Sequence, residues 1–378
     1  MNSDGGSPNK VSEIGLDWSL VKRVLLVRLR SIGDTVLMTP CLAALKNWRP
    51  DVEIVVLSEP LAAPVIEDHP LVDKLVVTES SLASRASLIT SLRTARIDIV
   101  FNIHGGPTGA IMSRLVNAKS SVGYRGLRLS WLLSHRAPSP DVLLRRSQIH
   151  SVEQQLALIS WAGVPWPEKV PALTLAVTPE TRTQTVAKLN KVLGVNWNQE
   201  LEGGYGCVVP GAAFDSKQWT TEGFAAVADH LVERWNLPCF VVAGPGQEKL
   251  AHDVAAVTRN KTTVVSGLQL KELVALLEMS RIFVGNDSGP MHIAAALNRP
   301  VVAVWGSSNP VVWHPWTEAP WRIVNGMQSN PDGPRLPIAE IPPADVIAAI
   351  DEVLEQALEA NHRAVGRSSH KTNSPIEA

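Results

Sequence analysis

The sequence predicts an α/β protein of two doubly wound lobes, and three observations carry that prediction. Short apolar runs rich in β-branched residues alternate with helical stretches, the rhythm of β-α-β units. The runs are continuous rather than alternating, as expected of strands buried on both faces of a parallel sheet. The chain has 378 residues, and at about 150 residues per domain two lobes are the natural division.

In the first half the strands are Val21–Leu29, Glu53–Leu57, Lys74–Val77 and Ile97–Ile103, with a helix opening at Thr39-Pro40 on a hydroxyl cap. In the second they are Tyr205–Val209, Cys239–Ala243, Thr263–Val265, Arg281–Val284 and Val301–Trp305, with helices near Thr220–Trp235 and Ala344–Glu359. The join falls between about Trp161 and Gly204, where Pro, Gly and polar residues gather. The boundaries drawn are a disordered terminus at 1–20, lobes at 21–180 and 181–360, and a disordered tail at 361–378, the two ends being polar and aperiodic.

Composition narrows the function. Hydrophobic residues make up 45% and charged residues 19%, enough apolar material for real cores. Thirty-five basic residues balance 36 acidic ones for a net charge of −1, which argues against a nucleic-acid coat protein. Cys41, Cys207 and Cys239 are too scattered for a disulfide framework or a metal cluster. The opening residues lack the apolar stretch of a signal peptide, and no run approaches the ~18 apolar residues of a membrane span, so a cytoplasmic location is expected.

In doubly wound sheets ligands bind beyond the carboxyl ends of the strands, so the chemistry is sought in the loops there and in a cleft between the lobes. After the first strand, Asp34 stands at a strand-to-helix turn, where it is either a general base or a helix N-cap. After Tyr205–Val209, a loop with Gly211 and Lys217 precedes a helix, an arrangement that suits a phosphate but equally a solvated lysine. Glu248 follows the Cys239–Ala243 strand and can hold ribose hydroxyls or simply favour a helix start. The strongest signal is Gly285-Asn286-Asp287-Ser288-Gly289-Pro290-Met291-His292, a polar turn running straight into an Ala-rich helix. Its small residues and exposed N–H groups make an anion site, while His292 is either a ligand contact or a packed core histidine. His104-Gly105-Gly106 follows the fourth strand. The segment Lys119–Arg146 is locally basic and can receive an anionic acceptor or the membrane surface carrying it. The sequence has no D-x-D pair, Walker loop, G-x-G-x-x-G, H-E-x-x-H, G-x-S-x-G or C-x-x-C, which disfavours a nicotinamide-dependent oxidoreductase, a zinc or serine hydrolase and a dithiol redox protein.

Taken together the loops resemble glycosyltransferase family 9, the heptosyltransferases of lipopolysaccharide core assembly and their relatives. The matching stretches are Arg23–Pro40, Val208–Trp219, Val284–Leu297 and Val302–Pro310, supported by N-I-H-G-G, Val122–Tyr124 and His150–Gln155, in order from about residue 21 to 358. The resemblance implies the GT-B architecture, two Rossmann-like lobes with an interdomain cleft. It also implies inverting transfer from a nucleotide-diphosphate sugar, typically ADP-heptose, to a lipopolysaccharide core or related glycolipid. Asp34 would be the catalytic base, and Lys217, Ser288 and Gly289 would hold the donor phosphates. Gly211, Glu248, Asp287 and His292 would serve nucleotide and sugar. Ser31, Gly33, His104, Gly105 and Arg125 would lie on the acceptor side. No metal or other cofactor is required on this reading, with Mg²⁺ stimulation left open, and contact with the inner face of the membrane would be peripheral. Ala212 and Ala213 depart from relatives that carry phosphate-binding hydroxyls there. A non-catalytic sugar-nucleotide-binding or scaffold protein on the same fold is the alternative.

Overall fold

A computed structural model describes residues 14–78, 82–194, 204–331 and 333–371. It divides into two compact units, residues 1–178 with 311–316, and residues 179–310 with 317–378. The first crossing lies two residues from the boundary drawn on the sequence. The return of 311–316 to the first unit was not anticipated.

The first unit holds a six-stranded sheet ordered β3-β2-β1-β4-β5-β6. Its strands are β1 (Arg23–Val27), β2 (Glu53–Ser58), β3 (Lys74–Val77), β4 (Ile99–Asn102), β5 (Ser120–Tyr124) and β6 (His135–Ala137). The second holds β7 (Gly206–Val209), β8 (Cys239–Val242), β9 (Thr263–Val265), β10 (Ile282–Asn286), β11 (Val301–Trp305) and β12 (Trp321–Asn325), ordered β12-β11-β10-β7-β8-β9. All pairings are parallel. The two sheets therefore share one topology, with the strand order reversing between β1 and β4 and between β7 and β10. The expected fold class, a pair of Rossmann-like α/β units of the GT-B kind, is the one observed.

Continuous apolar runs become strands because helices cover both faces. Leu25, Val27, Val55, Leu57 and Val100 pack with Ile89, Leu92, Met112 and Val116. In the second unit Val208, Val241, Val302 and Val304 pack with Phe224, Leu231, Val346, Ile350 and Val353. Each such side chain taken from water contributes about 1.5–3 kcal/mol.

Three sequence expectations need correction. Residues 18–20 are not disordered: they form a 3-10 turn in which Trp18 is buried, stacks edge-on against Trp48 at 4.9 Å and donates its indole N–H to Ala162 O at 2.8 Å. The tail does not lose structure at Asn361, because the last helix runs Pro343–Lys371; no proline interrupts it before Pro375. Residues 1–13 and 372–378 lie outside the described residues. Thr39 does not cap its helix, since the cap position is Met38; its hydroxyl instead donates to Val36 O at 2.9 Å and accepts Thr174 N–H at 3.1 Å.

Candidate active site

The topological switch points select four loops from all those available: the ones after β1, β4, β7 and β10. Each contains residues singled out from the sequence.

After β1 the chain stays extended through Arg28, whose N–H donates to Leu57 O at 3.0 Å, and then enters the helix Ile32–Val36. Ser31 is the N-cap of that helix. Asp34 is its third residue and closes a capping box, which corrects the N-cap reading. Asp34 Oδ2 accepts from Ser31 N–H at 3.2 Å and from the Ser31 hydroxyl at 3.0 Å. Oδ1 accepts no hydrogen bond from the described residues and stands 3.8 Å from Arg28 Nη1. The Arg28 side chain is only 7% exposed, and its Nε has no hydrogen-bond partner among the described residues. Burial pulls the Arg28 pKa down, and the Asp34 charge opposes that pull. Burial also pushes the nearby Cys41 thiol up to about 12, so it stays neutral. Gly33 is buried in the same turn.

His104 is placed beside this turn because its N–H donates to Val27 O, the last residue of β1, at 2.9 Å. Burial, then the Arg28 charge, lowers its pKa, so the ring is neutral at pH 7. Asn102 Oδ1 accepts from Gly105 N–H at 3.2 Å, and Gly105 has φ of +74°, the left-handed conformation that favours glycine. Ser31, Gly33, Asp34, His104 and Gly105 thus share one sheet edge with Arg28, a residue the sequence reading did not assign. Its signal was a charged side chain inside an apolar strand run. Arg125 is exposed one residue after β5, its N–H on Ala137 O.

In the second unit the loops converge likewise. Asn286, fully buried at the end of β10, accepts Trp219 N–H at 3.1 Å and donates to Pro210 O at 2.7 Å, clasping both ends of the loop after β7. Lys217 is not a solvated lysine: its Nζ meets Asp287 Oδ2 at 2.5 Å with the carboxylate side chain 6% exposed. The Ser308 hydroxyl donates to the same oxygen. Ser288 is the cap of the helix Gly289–Ala296, yet its hydroxyl makes no cap bond and is buried without a partner among the described residues. His292 is buried one turn further on. At Gly211 a Cβ would lie 1.9 Å from Gln247 Oε1, so a larger residue would push the Gln247 amide aside, and Gln247 also donates to Ala212 O at 3.1 Å. Glu248 is exposed, accepting Gly246 N–H at 3.2 Å. Asn286, Gln247 and Ser308 are the organisers that sequence reasoning left without roles. A part-buried cation with its buried counter-ion, an unpartnered hydroxyl and a helix start suit a multiply charged anion. Among the described residues no three His, Cys, Asp or Glu side chains gather in a metal-holding group.

Two doubly wound α/β units, one with a poised carboxylate and the other with an anion-receiving turn, define a group-transfer enzyme of the two-lobe α/β class. The model of glycosyltransferase family 9 (heptosyltransferase) matches residues 85–336. The chain belongs to that family and is a glycosyltransferase. It is 28% identical to lipopolysaccharide heptosyltransferase 3 of Escherichia coli over 351 residues, 86% of this chain and 97% of the relative. A family 9 glycosyltransferase structure from Veillonella parvula superposes with a TM-score of 0.77 at 23% identity, covering 89% of this chain and 98% of that one. The E. coli ADP-heptose lipopolysaccharide heptosyltransferase II structure gives 0.73 at 22% identity, covering 88% and 99%.

Proposed function

We propose that this chain transfers a heptosyl group from ADP-heptose, with inversion, to a lipopolysaccharide core acceptor on the cytoplasmic side of the membrane. The observation that carries the reading is Asp34: one carboxylate oxygen is fixed by the capping box while the other accepts no hydrogen bond from the described residues. A carboxylate so held can take the acceptor hydroxyl proton as that oxygen attacks the anomeric carbon. Single displacement inverts the centre and needs one base and a stabilised leaving group, not the paired carboxylates of a retaining hydrolase. Lys217, the Ser288 hydroxyl and the N–H groups at Ser288 and Gly289 stabilise the departing diphosphate, and Asp287 holds Lys217 in place for that task. On this reading these fixed donors serve the diphosphate without a metal, and transfer is expected to persist in EDTA.

The test is ADP release from ADP-heptose in the presence of heptose-bearing core acceptor, alongside thermal stabilisation by ADP, UDP and GDP. A nucleotide at 100-fold its Kd adds about 2.7 kcal/mol, and ADP is expected to be the one that does. Stabilisation by UDP or GDP instead would replace the donor. Nucleotide binding without ADP release from any heptosyl donor would refute the transfer.

A further inference from the structure

The anion-receiving turn of the second unit is short of positive charge. Lys217 is balanced by Asp287, so the pair is neutral as a whole. The amino end of the helix Gly289–Ala296 adds only about half a charge, whereas a departing nucleoside diphosphate carries several. The turns after β10 and β11, residues 287–288 and 306–310, contain no lysine or arginine. The stretch from Gly326 to Pro342 after β12 contains a single one, Arg335.

Strand register brings that stretch to the site. Trp305 is paired with Asn325 at the ends of β11 and β12, so Gly306 and Gly326 leave the sheet side by side. Gly306 in turn is laid against the Lys217 loop, where a Cβ on it would lie 2.5 Å from Ser216 O and 3.1 Å from Lys217 Cα. Two residues on, the Ser308 hydroxyl donates to Asp287. Arg335 joins this cluster because its Nη2 donates to Gly306 O. The loop that carries it is closed on itself: Leu336 N–H donates to Gly326 O at 3.1 Å, and the Asn330 amide donates to Pro334 O at 2.9 Å. Pro334 and Pro337 restrict the backbone on both sides of the arginine. Arg335 is nonetheless exposed and has no carboxylate partner among the described residues. An arginine held at a fixed point with its other donors unspent is prepared for an anion, since less side-chain entropy is left to lose.

We propose that Arg335 is the second cation of the donor site, binding the β-phosphate oxygens of the nucleotide-diphosphate sugar together with Lys217. Arginine's planar fork matches two phosphate oxygens at once, where lysine offers a point charge. As the bond from the anomeric carbon to the β-phosphate oxygen breaks, its electron pair passes to the diphosphate, and Arg335 neutralises part of the charge that grows there. The assignment rests on the proposed transfer, and adds to it a residue from a loop away from the topological switch point.

The experiment compares the Kd of ADP with that of AMP, by titration calorimetry, in the wild-type chain, Arg335→Gln and Arg335→Lys. Arg335→Gln is expected to weaken ADP about tenfold or more and to leave AMP, which lacks the β-phosphate, unchanged. Arg335→Lys keeps the charge without the fork and falls between. With ADP-heptose the kcat of Arg335→Gln is expected to fall about tenfold as well. The residue is exposed, so unliganded melting temperatures stay close to wild type. Wild-type ADP affinity in Arg335→Gln overturns the proposal. So does an equal loss of ADP and AMP affinity, the signature of a shifted loop rather than a lost phosphate contact. ADP binding and ADP release by the wild-type chain, measured in parallel, report on the transfer itself and stand whatever Arg335 does. If the wild-type chain prefers UDP or GDP, that diphosphate and its monophosphate make the same comparison.

Discussion

The turn after β1 and the turn after β10 are the same device used in opposite ways. Each follows a central strand, each leads into a helix, and each carries an aspartate beside a cation. In the second unit Asp287 is buried and ion-paired, with Lys217 and Ser308 both on Oδ2 and almost no exposure. In the first, Asp34 spends one oxygen on Ser31 and keeps the other unbonded, with its side chain 24% exposed and Arg28 too far for a hydrogen bond at 3.8 Å. A buried carboxylate held in an ion pair acts as a scaffold, because protonating it would leave its cation without a counter-charge. A partly exposed carboxylate fixed by neutral donors keeps its direction and can still meet a substrate proton. Two aspartates that each follow a central strand therefore take different work, and burial and partners decide which.

The sharpest way to break this comparison is Asp34→Asn. It keeps the shape and loses the base, so turnover is expected to fall about 10²–10⁴-fold, with a melting temperature close to wild type. Activity comparable to wild type in an ADP-release assay would put the base elsewhere. Asp287→Ala should reverse the pattern. It strands Lys217 and the Ser308 hydroxyl in a part-buried site, costing about 1–3 kcal/mol of stability together with ADP affinity. Urea unfolding and the ADP-induced thermal shift read the two effects, and a stable variant with intact ADP binding would deny Asp287 its scaffold role. Gly306→Ala tests the same loop cluster through sterics. Its Cβ would lie 2.5 Å from Ser216 O, a backbone atom that cannot rotate away, so a loss of about 1–3 kcal/mol is expected in the same denaturation series.

The smallest effect is one of pH. His104 has a folded pKa below its ordinary value, chiefly through burial and then through Arg28. The unfolded chain takes up the proton more readily, so this contribution to stability is present above about pH 6.5 and is lost as the pH falls below it. His104→Asn should flatten the acid limb of the melting-temperature profile between neutral and mildly acidic pH. A limb as steep as wild type would remove His104 from that linkage.

Most of the sheet was legible because β1, β2, β4, β7, β8, β10 and β11 are written as unbroken apolar runs. The strands that escaped are β5 and the edge strands β6 and β12, whereas the edge strands β3 and β9 were read. β5 reads Ser-Ser-Val-Gly-Tyr, β6 has three residues including His135 and Arg136, and β12 opens on Trp321-Arg322. An edge strand with a single neighbour does not need continuous hydrophobicity, and β5 is buried with the small residues Ser120, Ser121 and Gly123 in place of an apolar run. The loops of the site were legible as glycine-rich and charged turns at strand ends, but not their internal wiring. Nothing in the spacing says that Lys217 is matched to Asp287, seventy residues away, or that Asn286 clasps Pro210 and Trp219. Those pairings exist only once β7 and β10 lie side by side.

The short segment 311–316 sets a condition on how this protein is made. It returns to the first unit after most of the second has been traversed, and there His150 Nε2 lies 3.0 Å from His314 O, His150 stacks on Trp316 at 4.7 Å, and Trp316 donates to Pro171 O at 3.3 Å. A ribosome releasing the chain from its amino end delivers the first sheet early but withholds this last piece until residue 316 has emerged. The amino-terminal unit therefore waits, incomplete, through the synthesis of over a hundred intervening residues. A gene cut at the unit boundary would yield a fragment permanently lacking its own closing contacts.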